Sequence, residues 1–295
     1  NGLSTPIAVD LNSDGLADVI YAGDLRGNLW RFRLNGTGAI SSEKIFEAKD
    51  GAGNIQPITA RPEVGRDNTG NVMVYFGTGQ YLANADVANK SVQSFYGVRD
   101  VCAFSTTGTC ASASGVLGRD DLLGQIIEEQ EDRAYNTRGE RYDATVRVIS
   151  NNAMAGGADK EAGFYVDLAL NGTTLEGERI IYTPILWSDR VIFNTIIPND
   201  DECDPDGDGW MYEIDPNDGS RLEFSVYDLD HDGKFGDKND LAKSGNIVSG
   251  LKVGMGGGLT ARGDTKYHSN NKGRVTSVKN SNVPHLGRKS WRQLR

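Results

Sequence analysis

Hydrophobic and polar residues alternate with a period of two along most of this chain, which is the pattern of half-buried β-strands. The clearest examples are residues 19–22, 29–34, 72–77, 163–168 and 210–215. Two further strands are predicted at residues 179–182 and 190–195, joined by a turn at Ser188 and Asp189. Helical periodicity is scarce, and one short helix is predicted at residues 120–131, with Asp120 as its cap. The pattern therefore predicts an all-β protein.

Glycine followed by an aromatic-containing strand recurs along the chain, for example at residues 27–32, 163–168 and 209–215. Short antiparallel strands with this punctuation are typical of a β-propeller built from four-stranded blades, and a β-sandwich is the competing fold. Only roughly four to six blade-like units can be distinguished, so the propeller is expected to be incomplete within this chain. Residues 102–141 interrupt the strand pattern, and we expect a partly helical insertion there.

The chain has 295 residues and a formal net charge of −10, and its charges are unevenly spread. An acidic segment at residues 199–240 suits divalent cations and repels nucleic acid, whereas residues 262–295 are basic and are interpreted as a solvated or self-docking end. Because no run of apolar residues approaches the length of a membrane span, none is expected. The chain begins at Asn1 in the middle of a pattern, and we interpret it as a processed product without a targeting segment.

A carboxylate-rich loop at residues 10–18 is the strongest chemical signal in the sequence. Oxygen-bearing side chains occupy its positions one, three, five and nine, which are Asp10, Asn12, Asp14 and Asp18. Gly15 permits a sharp reversal of the backbone, after which Leu16 can offer its carbonyl oxygen. Calcium prefers six to eight hard oxygen ligands, so this spacing predicts a Ca²⁺ site between two strands.

A second loop opens in the same way. Asp228, Asp230 and Asp232 precede Gly233, and Lys234 would offer its carbonyl. The ligand that closes this site is ambiguous among Asp237, Asn239 and Asp240. A third acidic stretch, residues 204–209, lacks an obvious closing acid apart from Glu213 and is interpreted as a surface loop.

Three cysteines are present, and two of them bracket a short polar loop. The spacing of Cys102 and Cys110 suits a disulfide, which would imply an oxidising compartment, and two free thiols are the alternative. Cys203 is then either a free thiol or half of a bridge to another segment. The chain has three His and shows no nucleophile elbow, phosphate-binding loop or dinucleotide fingerprint, so no enzymatic activity is expected.

Several stretches resemble the C-terminal β-propeller of the PilY family of type IV pilus proteins. They are residues 5–18, 21–32, 75–82, 93–97, 177–198 and 287–294. The resemblance covers residues 1–295 and implies that this chain forms the second half of that propeller. It gives the calcium-ligand roles to Asp10, Asn12, Asp14, Leu16 and Asp18.

The resemblance also implies a location and partners. The protein would lie outside the cell at the pilus tip, promote pilus extension against retraction, and contribute to adhesion and twitching motility. Its expected partners are type IV pilin or minor pilins, a host or abiotic surface, and the upstream part of the same protein. Two other functions remain open at this point: a quinoprotein-type propeller oxidoreductase and a carbohydrate-binding propeller.

Overall fold

The computed structural model describes residues 2–34, 40–105, 115–154, 162–199, 207–262, 265–270 and 275–279. These residues form seventeen strands and two single-turn 3-10 helices, so the all-β prediction is confirmed. The first ten strands are β1 (Ile7–Val9), β2 (Val19–Gly23), β3 (Asn28–Leu34), β4 (Ile40–Glu47), β5 (Glu63–Arg66), β6 (Val72–Gly77), β7 (Ser94–Asp100), β8 (Leu123–Thr137), β9 (Glu140–Ile149) and β10 (Gly163–Leu170). The other seven are β11 (Ile185–Trp187), β12 (Arg190–Asn194), β13 (Trp210–Ile214), β14 (Gly250–Lys252), β15 (Gly256–Arg262), β16 (Thr265–Asn270) and β17 (Val275–Lys279).

Four-stranded antiparallel units recur through the fold. Strands β1 to β4 form the first unit in chain order. The ten-stranded sheet contains two more, β5-β6-β7-β10 and β11-β12-β13-β14. The hairpin of β8 and β9 joins these two units, because β8 pairs with β10 in parallel and β9 pairs with β14. Strands β15 to β17 form a separate sheet. This arrangement is propeller-like, as the sequence predicted.

The units pack face to face, and the period of two decides which core each side chain enters. On β6, Val74 and Phe76 pack toward the first unit, whereas Met73 and Tyr75 pack toward the third. On β13, Tyr212 packs into the core between the second and third units, whereas its neighbour Met211 packs on the opposite face of the strand, into another core. Because both faces of a central strand are buried, β6 and β13 are hydrophobic or aromatic at almost every position.

The predicted helix at residues 120–131 is wrong, whereas the insertion expected at residues 102–141 falls partly outside the described residues, at 106–114. A 3-10 helix spans only Arg119–Asp121, and the 15-residue strand β8 begins two residues later. Along β8 burial alternates, so that Ile126 is 43% exposed and Ile127 is fully buried. Its Glu- and Gln-rich sequence favours a helix locally, but pairing with β9 and β10 overrides that preference. This segment is the joint between two sheet units.

The strand predicted at residues 179–182 is also wrong. The partner of β12 is β11, and the two-residue turn between them has positive φ at Ser188 (47°) and Asp189 (62°), as a type I′ hairpin requires. Arg179 instead makes an isolated bridge to Ile196. Its guanidinium donates to the carbonyl oxygens of Gln80, Asp86 and Asn89. These hydrogen bonds hold the loop of residues 80–89 against the sheet.

Candidate metal centre

The predicted calcium loop lies between β1 and β2 at the edge of the first unit. It is closed at its base by the hydrogen bond from Asp18 N to Val9 O, 2.9 Å. Asp10 accepts hydrogen bonds from Ser13 N (2.6 Å) and Gly15 N (2.8 Å), which fold the chain back over its carboxylate. Ser13 and Gly15 have φ of 66° and 90°, so two residues adopt left-handed backbone conformations within three positions.

The remaining predicted ligands face the same turn. Asn12 Oδ1 accepts from Asp14 N at 2.9 Å, and Asp14 Oδ1 accepts from Leu16 N at 2.8 Å. Asp18 Oδ2 accepts from Leu11 N at 2.6 Å, which brings the last carboxylate beside the first residues of the loop. All four oxygen-bearing side chains that the sequence singled out therefore accept hydrogen bonds from backbone N–H groups of this one turn.

Asp10 is suited to remain ionised. Burial raises the pKa of its carboxyl, but backbone N–H groups of Gly15, Ser13, Asp14 and Asn12 together lower that pKa below its ordinary value. An ionised carboxylate with oriented oxygens is the ligand that a hard divalent cation requires.

The second acidic loop repeats this backbone geometry. Asp228 Oδ2 accepts from Gly233 N at 3.0 Å, as Asp10 does from Gly15. Asp230 Oδ1 accepts from Asp232 N at 3.1 Å, and Asp232 Oδ1 accepts from Lys234 N at 2.7 Å. The two loops therefore share one turn conformation, although they lie on different units of the fold.

Three carboxylates converge in the second loop. Asp228, Asp230 and Asp232 each place one oxygen within 4.8 Å of the others. Among the residues that the structure describes, this is the one group of three acidic, His or Cys side chains with that geometry. Asp228 Oδ1 is buried and has no hydrogen-bond partner. A buried anionic oxygen without a donor is costly unless a cation neutralises it, so this donor set fits a metal ion.

Asp240 is the residue that closes the second loop. Its Oδ1 accepts from Leu229 N at 2.8 Å, which is the contact that Asp18 makes with Leu11 in the first loop. Its Oδ2 accepts from Gly236 N at 2.9 Å, and the residue is 1% exposed. Burial, reinforced by the nearby charges of Asp237 and Asp228, raises the pKa of Asp240 to about 6.

The sequence left the closing ligand open among three residues, although the two loops share a motif that relates one to the other. Both loops read Asp-Leu-x-x-Asp-Gly, where x is any residue. In each, the Leu side chain is buried and its N–H is donated to the closing carboxylate. In each loop the closing acid is therefore the one that faces this Leu, whatever its spacing in the chain. The geometry equates Asp240 with Asp18, whereas Asp237 Oδ1 accepts from Asn239 N within a local turn.

Two residues of the second loop, Lys234 and His231, carry exposed side chains. Lys234 Nζ lies 3.4 Å from Asp232 Oδ2 and is largely exposed. The backbone N–H of Lys234 is the main cause that lowers the pKa of Asp232. His231 is exposed, and its ring stacks on Tyr142 with 4.3 Å between the ring centroids.

The other predicted features are only partly covered by the described residues. Asp208 pairs with Lys252 at 2.8 Å, while the preceding acidic residues of the third stretch lie outside the described residues. Glu213 is fully buried, and its Oε2 lies 3.1 Å from Arg190 Nε, so this carboxylate already has an ionic partner. Cys102 is disulfide-bonded, but Cys110 and Cys203 lie outside the described residues, so the predicted pairing stays a prediction.

Comparison with known proteins identifies the relatives of this fold. The family model of the PilY1 beta-propeller domain matches residues 1–139. The type IV pilus biogenesis factor PilY1 of Pseudomonas aeruginosa strain PAO1 is 35% identical over 329 aligned residues, which include the whole of this chain. The chain belongs to the PilY1 family. A PilY1 homolog of Xylella fastidiosa is 32% identical, again across the whole chain.

A solved relative has the same fold. The crystal structure of the Pseudomonas aeruginosa PilY1 C-terminal domain superposes with a TM-score of 0.79 at 31% identity, over 96% of this chain and 61% of that one. This chain spans only 27% of the length of the Pseudomonas PilY1 and 22% of the Xylella homolog. No helix among the described residues has the length and apolar character needed to cross a membrane.

Proposed function

We propose that this chain is a calcium-binding part of a PilY1-type protein that acts outside the cell at the tip of the type IV pilus. The relatives named above are pilus biogenesis factors, which supports a role in pilus assembly and not in enzymatic catalysis. The observation that carries the calcium proposal is the convergence of Asp228, Asp230 and Asp232, each with one oxygen within 4.8 Å of the others, in a loop that repeats the turn between β1 and β2.

Two sites would hold the ion. In the first loop the ligands are Asp10, Asn12, Asp14, Asp18 and the carbonyl of Leu16. In the second they are Asp228, Asp230, Asp232, Asp240 and the carbonyl of Lys234, with Asp237 beside them. Bound calcium would supply the positive charge that offsets repulsion among the carboxylates, so that binding energy becomes local folding energy.

Calcium occupancy at these loops would favour pilus extension over retraction and support surface adhesion and twitching motility. Type IV pilin or minor pilins would contact the ordered domain, together with a host or abiotic surface. Calcium affinity in extracellular modules is usually modest, so occupancy would follow the calcium concentration of the surroundings.

Pilus dynamics in living cells test this proposal. A strain without its own PilY1-type protein is complemented with the full-length protein carrying Asp10→Ala, or Asp143→Ala as a control at an exposed acid outside the loops. We expect frequent retraction and altered twitching for the first variant, with wild-type behaviour for the second. Equal retraction and twitching in wild type and the Asp10 variant, at equal surface display, would contradict the regulatory role.

The outer face of the first unit is the proposed contact with the rest of the longer protein. Leu3, Trp30 and Phe32 line a groove of about 480 Å³ there, and Leu3 is 56% exposed. The opposite face of the same sheet is packed against the second unit through Leu29 and Phe46. Since the solved PilY1 domain is longer than this chain, a further part of that domain is the proposed occupant of the groove.

A further inference from the structure

The hairpin of β8 and β9 extends well beyond the sheet that anchors it. Its base is held on both sides, because β8 pairs with β10 up to Ile127 and β9 pairs with β14 at Val146 and Arg147. Its outer half, residues 129–145, has no strand partner among the described residues except the other arm of the hairpin. A two-stranded hairpin is marginally stable in water, so this half depends on what its side chains contact.

Those side chains contact the second acidic loop and the residues that follow it. Tyr135 Oη donates to Asn239 O at 2.8 Å, and Tyr135 is almost fully buried beside Leu229 and Ala242. Glu131 accepts from Lys243 N at 2.8 Å. The Tyr142 ring stacks on His231, whose sequence neighbours are the converging acids Asp230 and Asp232.

Asn239 links these contacts to the ligand cluster. Its side-chain amide donates to Asp230 Oδ2 at 2.7 Å, while its carbonyl accepts the hydroxyl of Tyr135. The position of that carbonyl is therefore fixed by the same carboxylate that would hold the ion. Asp228 Oδ1 is buried and accepts no hydrogen bond, and the cationic group near the cluster, Lys234 Nζ, lies at Asp232 and is largely exposed.

We propose that a divalent cation in the second loop stabilises the docked position of the outer half of the β8–β9 hairpin. The cation would hold Asp230, which positions Asn239, whose carbonyl accepts from Tyr135. This inference rests on the proposed second calcium site and adds what that site controls. Without the cation, Asp228, Asp230 and Asp232 repel one another, the loop opens, and the Asn239 carbonyl no longer meets Tyr135. The hairpin tip is then released, while its base stays in the ten-stranded sheet.

Hydrogen–deuterium exchange of the chain in millimolar calcium or in excess EGTA measures this coupling directly. We expect chelation to speed exchange at residues 129–145 by about tenfold or more, since local opening would become much more frequent. Residues 146–149, at the base, should exchange at an unchanged rate and serve as the internal reference.

Matched substitutions distinguish the effect of the second loop on hairpin exchange from that of the first loop. Asp230→Asn should raise exchange of the outer half permanently and abolish its response to calcium. Asp14→Asn, the corresponding change in the first loop, should leave that response intact. Tyr135→Phe removes only the hydroxyl, so it should speed exchange at saturating calcium without changing the number of ions bound. Unchanged exchange in the Tyr135 variant would contradict the route through Asn239.

Calcium stoichiometry from titration calorimetry distinguishes a failure of this inference from a failure of the site. The number of ions bound should fall by one in the Asp230 variant. If it falls but the hairpin exchanges equally with and without calcium, the coupling is overturned and the site stands. If it does not fall, the proposed second site is overturned together with the coupling.

Discussion

Asp100 and Asp143 each pair with an arginine, but in opposite environments. Asp100 lies at the end of β7, where Arg31 of the first unit and the hydroxyl of Tyr21 (2.7 Å) both donate to it. Arg31 and Asp100 are almost completely buried. Burial and the charge of Asp100 raise the pKa of Tyr21 well above its usual value, so the phenol remains a donor. This network joins the first unit to the second.

The residue-scale prediction follows from that burial. Asp100→Ala should lower the free energy of unfolding by about 3 kcal/mol, because among the described residues it leaves the buried guanidinium of Arg31 with the half-exposed Glu43 as its one charged partner. Asp143→Ala removes an exposed pair with Arg141 and should change stability by less than about 0.5 kcal/mol. Urea unfolding measures both, and equal costs would contradict the assigned role of the buried network.

At the scale of single elements, β8 shows how a local pattern and a tertiary partner compete. Acidic and amide side chains, which are good helix formers, fill its middle, and the sequence therefore suggested a helix at residues 120–131. The same residues alternate in burial once β9 and β10 lie beside them. Strand pairing joins residues far apart in the chain, so no local window contains the information that decides the outcome.

Neighbouring isoleucines on β8 make that assignment testable. Ile127→Ala should cost about 2–5 kcal/mol in unfolding free energy, because Ile127 is fully buried in the core between the second and third units. Ile126→Ala should cost less than about 1 kcal/mol, since its side chain lies on the exposed face. In a strand, adjacent side chains point to opposite faces of the sheet, so the two costs should differ strongly. Similar costs for the two variants, measured by urea unfolding, would argue against the strand.

At the scale of the whole molecule, the first unit is packed on one face and open on the other. Phe46 is fully buried in the core that joins the first and second units, whereas Phe32 lies in the groove of the outer face. The proposed contact with a further part of the longer protein would turn that groove into a core. The loss of unfolding free energy on truncating Phe32 should then be larger in a chain that includes this further part than in the present chain.

Stability measurements on two chain lengths test this. Phe32→Ala should destabilise a longer chain, corresponding to the whole solved PilY1 domain, by about 2 kcal/mol more than it destabilises this chain. Phe46→Ala is the control and should cost about 3–5 kcal/mol in both. If Phe32→Ala costs the same in the two chains, the groove is not covered by that part of the protein.

The sequence by itself determined the class of the fold and the first acidic loop. Period-two alternation and Gly-aromatic punctuation are local properties, and so is the spacing of Asp10, Asn12, Asp14 and Asp18, whose side chains accept from backbone N–H groups of one turn. Only the tertiary structure decided the strand character of β8 and the burial that equates Asp240 with Asp18. Each of these depends on contacts between segments, or on burial, that no single stretch of sequence specifies. For the same reason the contact between the second loop and the β8–β9 hairpin, which spans 104 residues from Tyr135 to Asn239, became visible only in the folded chain.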